Sequence, residues 1–154
     1  MVLEQFWTWI EAQPLATHIG ESAWFPFLES VHVLSAMFVV GTVLMADLRL
    51  LGWSALRYPI TVITDEVVPW TWGAFVIAAV TGAGLLMPRA SWYVANPAFL
   101  AKAVLLLLAG VNMLVLHFGA LRTGRARLQM TTGACSLLVW TGVVLAGRWI
   151  GHLS

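Results

Sequence analysis

The chain has 154 residues, 60% of them hydrophobic and 10% charged, with a net charge of +1 and one cysteine. A soluble domain carries roughly 25% charged residues, so a water-soluble fold of this length has too little polar surface to cover its apolar residues, and lipid must be the solvent for much of it. The low net charge, with no basic block, gives nucleic-acid binding no support, and a single cysteine excludes an internal disulfide and any multi-cysteine metal site.

Each bilayer-spanning helix needs about 20 apolar residues, so four spans with short loops use up the chain. The expected fold is therefore all-α: one domain, an integral membrane bundle of four transmembrane helices, preceded by an amphipathic interfacial helix. That first helix covers residues 3–19. Phe6, Trp7, Trp9 and Ile10 mix there with Glu4, Gln5, Glu11 and His18, which suits the headgroup level. Pro14 breaks or restarts it. The first span covers 26–48, with Pro26 in its first turn and Asp47-Leu48-Arg49 at its far interface. The second covers 67–87 and is stopped by Pro88. Ala78 and Gly82 on it are one turn apart and allow close helix approach. The third covers 97–121 and opens on Asn96-Pro97. The fourth covers 130–149 and carries a second small pair, Gly142 and Ala146, together with Cys135, read as a small packing residue.

Four spans put both termini on one side of the membrane. Arg49, Arg57, Arg122, Arg125 and Arg127 fall on the other side. The positive-inside rule makes that arginine-rich side cytoplasmic and both termini external.

Ionisable groups inside a span are costly, and each is a functional hypothesis. At about 1.5 Å per residue from the span centres, Glu29, Lys102 and Arg148 each fall about 11–12 Å from the midplane toward the external side, and His32 roughly 7 Å from it. Three helices thus deliver one acid, two bases and a histidine to nearly one level. Glu29 and His32, three residues apart, share a helix face. The group reads as a ligand or proton site for an anionic, quinone-like or protonatable molecule. The structural alternatives are a buried ion-pair network that fixes helix register, or long side chains that snorkel singly to the interface.

His117 lies about 11 Å from the midplane toward the cytoplasmic side. With Asn112 and Asp47 it marks a second candidate site. Its plainer reading is a histidine hydrogen-bonded to a neighbouring helix. Histidine in a helical bundle is the usual axial ligand of a membrane b-type cytochrome, which makes His32 and His117 candidate haem ligands. The two differ by roughly 18 Å in depth, so one haem between them in one chain is not expected. His32 pairs with His18 or His152 only if those external segments fold inward. Glu29-x-x-His32 is one half of a di-iron pattern whose other half is missing.

The chain resembles an uncharacterised family of small bacterial four-helix inner-membrane proteins. The resemblance rests on Glu29-x-x-His32-Val33-Leu34, Asp47-Leu48-Arg49-Leu50-Leu51-Gly52 and Pro69-Trp70. It continues through Thr81-Gly82, Asn96-Pro97 with Lys102, Asn112 with His117, and Gly147-Arg148-Trp149. It implies a multi-pass protein of the bacterial inner membrane and brings no activity with it. A looser likeness to small membrane cytochromes b and copper-resistance membrane proteins implies haem on helix histidines.

The function expected is that of a redox-associated membrane subunit handling haem b or quinone at the external side. Glu29 handles protons, His32 is a ligand or proton donor, and Lys102 and Arg148 hold anionic groups such as haem propionates or a quinone oxygen. His117 serves a second site or a subunit contact. The alternatives are a non-redox proton or anion carrier or channel, and a structural subunit that helps assemble a larger complex. The partners expected are the lipid bilayer and either further copies of the chain or a membrane complex.

Overall fold

The computed structural model describes residues 2–53 and 60–153, without the side chains of residues 2, 60–65, 117, 120 and 123. Among the described residues every regular element is helical. Arg57, one of the arginines that set the expected orientation, lies outside them.

The N-terminal segment forms two helices in place of the single one expected: α1 (Val2–Glu11) and α2 (Pro14–Glu21). The reason is Pro14. It has no N–H to continue a helix, but its fixed φ suits a first helical position. The spans follow as α3 (Trp24–Leu50), α4 (Ile60–Leu86), α6 (Pro97–Val115) and α8 (Ala126–Trp149). A 3₁₀ turn (Met87–Arg89) and α5 (Ala90–Ala95) join α4 to α6. After α6 the chain relaxes into a π-helical turn (Leu116–Ala120) that carries His117, then α7 (Leu121–Thr123).

Helix ends are set by local chemistry. At the end of α3, the Trp53 N–H bonds to the Leu48 carbonyl and the Gly52 N–H to that of Arg49. This is a Schellman closure, and it needs the left-handed backbone that Gly52 adopts at φ +84°. At the start of α6, the Asn96 side-chain oxygen accepts from the N–H groups of Ala98 (2.9 Å) and Phe99 (3.4 Å), an N-cap that precedes a proline.

Among the described residues four helices are long and apolar enough to cross a membrane. Leu34, Met37, Val80, Leu107 and Leu138 stand 65–75% exposed along them. Such a band is stable only against hydrocarbon, so the chain is a multi-pass membrane protein in a lipid bilayer.

The spans pack as two antiparallel pairs. α3 lies along α4 and α6 along α8, while α3 against α8 joins the pairs; α4 and α6 share no packed seam. Small residues set each contact. Gly84 takes Leu28, Gly142 takes Leu105, and Gly133 lets α8 meet Leu50 and the Asp47 carbonyl. The Thr71 hydroxyl is 2.9 Å from that of Thr42 in the α3–α4 seam, and the Asn112 side-chain amide donates to the Thr132 carbonyl (3.0 Å) across α6–α8. Cys135, expected in the packing, is exposed on the outer face of α8.

One end of the bundle is closed by short elements. α1 packs on α5 and on the 3₁₀ turn, and α2 on α3, α4 and that same turn. Glu11 accepts from both the N–H (2.7 Å) and the hydroxyl (2.6 Å) of Ser91. The Asn96 amide donates to the carbonyls of Ile150 and Leu153, each at 3.0 Å. The first helices and the last described residues therefore lie at the same end.

Candidate functional site

His32 sits in the α3–α4 seam, near the capped end. Its Nδ1 is 2.8 Å from the Ala78 carbonyl oxygen and 3.3 Å from the Thr81 hydroxyl oxygen. A carbonyl oxygen only accepts, so Nδ1 carries the ring proton. The Thr81 hydroxyl donates to the Ile77 carbonyl (2.7 Å), which leaves its oxygen to accept as well. In the neutral ring Nε2 then presents a lone pair, and it has no hydrogen-bond partner among the described residues. The Ala78–Gly82 pair does allow a close approach, but what approaches is an imidazole. A Cβ on Gly82 would lie 2.9 Å from His32 Cε1.

Lys102 comes from the opposite pair of helices. It is half-buried, and its stem crosses the bare backbone of Gly147: a Cβ there would meet Nζ at 3.6 Å and Cδ at 3.7 Å. Its charge reaches the His32 ring. His32 on α3 and Lys102 on α6 are thus electrostatic neighbours. Among the described residues α4 and α6 form no extended packing contact of their own.

The other two members of the expected cluster do not join them inside. Glu29 and Arg148 are exposed on the outer faces of their helices. The cause is rotation about the helix axis. Gly147 faces Lys102, and the next residue is turned by about 100°, so Arg148 points off the seam. The charge of Glu29 reaches Tyr93 on α5, as does that of Arg89. Tyr93 is thereby a neighbour of Glu29 and Arg89 that residue spacing does not reveal.

The second candidate group is partly assembled. Asp47 and Asn112 both meet α8 within one turn, Asp47 by its backbone carbonyl at Gly133 and Asn112 by its side-chain amide at Thr132. Asp47 is 3% exposed, and its Oδ2 has no hydrogen-bond partner. Ser136 and Gly133, which seat it, are missed by the sequence reading, although small residues three apart on a span are their signature. The backbone of His117 lies in the π-helical turn, a distortion common at functional positions; its side chain lies outside those described.

Among the described residues no three His, Cys, Asp or Glu side chains gather into a metal-binding group. His18 and His152 are exposed, so neither is folded in against His32.

The sequence model of a family of unknown function, DUF6644, matches residues 6–153. No curated protein and no solved structure matches the chain.

Proposed function

The chain belongs to this family of unknown function, and we propose that it is a redox-associated membrane subunit that holds a lipid-soluble quinone head group between His32 and Lys102. The observation that carries the reading is the bond from His32 Nδ1 to the Ala78 carbonyl. It sets the proton on Nδ1 and leaves Nε2 with a free lone pair, within reach of the Lys102 charge. A quinol hydroxyl donates to such a nitrogen, and a quinone oxygen accepts from an ammonium. A molecule dissolved in the bilayer enters sideways, between α4 and α6. Glu29, exposed near Tyr93, takes up or releases protons at the mouth of the site, and Arg148 meets anionic groups at the same level.

The same Nε2 supports a second reading as the axial ligand of a haem b. A ligating histidine donates its other N–H to a carbonyl in this way, and Lys102 and Arg148 then serve the propionates. Arg49, Arg122, Arg125 and Arg127 lie at the end away from this site. By the positive-inside rule this distribution supports a site on the external side of a bacterial inner membrane, with both termini external. Partner subunits or further copies of the chain complete an electron path.

The test is equilibrium binding of decylubiquinone to the protein in lipid nanodiscs. The expected result is saturable binding that His32→Ala and Lys102→Met each weaken by at least tenfold, while the lipid-facing Val80→Ala leaves it unchanged. Binding that survives both site variants overturns the reading. A visible spectrum of a haem-supplied preparation, before and after dithionite, separates the two ligands: a Soret band lost in His32→Ala assigns haem.

A further inference from the structure

The α3–α8 seam is tight at one end and open along the rest. At Gly133 the helices touch: a Cβ there would lie 3.0 Å from Leu50 Cβ and 3.2 Å from the Asp47 carbonyl oxygen. Beyond that contact the two helices part and leave a groove of about 220 Å³. Val40, Val43, Leu44, Trp140 and Val144 wall it, and Asp47 closes it. Leu44 is 42% exposed and Leu145, on the opposite lip, 57%, so the groove opens to hydrocarbon.

Two polar side chains line this groove, and one of them is satisfied. The Thr141 hydroxyl donates to the Leu137 carbonyl at 2.7 Å. Asp47 is different. It is almost wholly buried, Ser136 lies beside its carboxyl, and Oδ2 is left without a partner. A buried carboxyl oxygen with nothing to bond calls for a donor or a cation. A bare metal ion needs several oxygen ligands, which these apolar walls do not supply. An organic ammonium brings its own apolar body for the walls and its own N–H for Oδ2. The Trp140 side chain, one turn from Ser136, also lines the groove.

We propose that the α3–α8 groove binds a lipid-soluble amine, which enters from the bilayer with its ammonium on Asp47 and its apolar body along Val40, Val43 and Val144. The site is separate from the His32–Lys102 level and stands whether or not a quinone binds there.

The test compares 4-phenylbutylamine with the neutral 4-phenylbutanol on the whole protein in nanodiscs, with empty nanodiscs as the partition blank. The expected result is saturable binding of the amine at least tenfold tighter than the alcohol. Asp47→Asn, which keeps the shape, removes that preference, and Val144→Trp, which fills the groove, removes binding of both. Equal binding of amine and alcohol by the wild-type chain overturns the proposal, because it assigns a merely apolar cavity with a proton on Asp47. So does an amine preference that persists in Asp47→Asn or Val144→Trp. The wild-type comparison and Val144→Trp decide the matter even where Asp47→Asn does not fold.

Discussion

Gly82 and His32 occupy the same space across the α3–α4 seam. A Cβ on Gly82 would stand 2.9 Å from Cε1 and 3.2 Å from Nδ1 of the ring, closer than real side chains pack. The ring has nowhere to move without giving up the bond from Nδ1 to the Ala78 carbonyl. The tautomer of His32, and so the chemistry of Nε2, depends on the smallness of a residue on another helix.

Gly82→Ala is therefore expected to destabilise the bundle by about 1–2 kcal/mol. Overpacking costs about 1–3 kcal/mol, and removing a helical glycine returns up to about 1 kcal/mol. In a His32→Ala background the clash is gone and the same change is neutral or stabilising. A double-mutant cycle of unfolding in detergent checks this. Additive effects would show that the two residues do not meet.

Gly133 and Gly142 both lie on α8, yet they predict different outcomes. A Cβ at 133 meets backbone, the Asp47 carbonyl oxygen at 3.2 Å, whereas one at 142 meets the movable end of Leu105 at 3.1 Å. Gly133→Ala should cost about 1–3 kcal/mol, and Gly142→Ala should be near neutral once its gain in helix propensity is counted. Thermal midpoints of the two variants, measured side by side, decide this; the reverse order would place the tight point of α8 elsewhere.

Asn96 caps α6 with its oxygen and ties down the end of α8 with its amide. Asn96→Ala should cost about 2 kcal/mol, from roughly 1 kcal/mol for a lost cap and a similar amount for the buried bonds. Asn96→Asp keeps the acceptor but faces the Ile150 and Leu153 carbonyls with oxygen, so it should be no better. Proteolysis near the last residues should accelerate in both variants. An Asp variant as stable as the wild type would sink this account of the cap.

Glu11 holds α1 to α5 through Ser91. In Glu11→Ala the amides of α1 should exchange faster with solvent while those of α3 and α8 do not change. Unchanged exchange in α1 would mean that apolar contact alone seats it.

The spans were legible because a run of about 20 apolar residues has few other uses. That His32 and Lys102 come near one another was legible for a similar reason, since counting residues estimates height along an axis. What counting does not measure is rotation. α3 has no apolar stripe to orient it, so nothing in its pattern separates the turned-out Glu29 from the turned-in Asp47. Gly147 reads as one more small residue until Lys102 is seen lying across it. The burial of Asp47 depends on Gly133 and Ser136, more than 80 residues along the chain, and no local signal links them.

The most direct measurement is photolabelling of the protein in nanodiscs with a light-activated quinone analogue, followed by mapping of the adducts. Adducts are expected on the peptides that carry His32 and Lys102, displaced by excess decylubiquinone and lost in Lys102→Met. Adducts confined to the lipid-facing surface around Leu34, Met37 and Leu107, indifferent to competitor and to that substitution, would contradict the quinone reading.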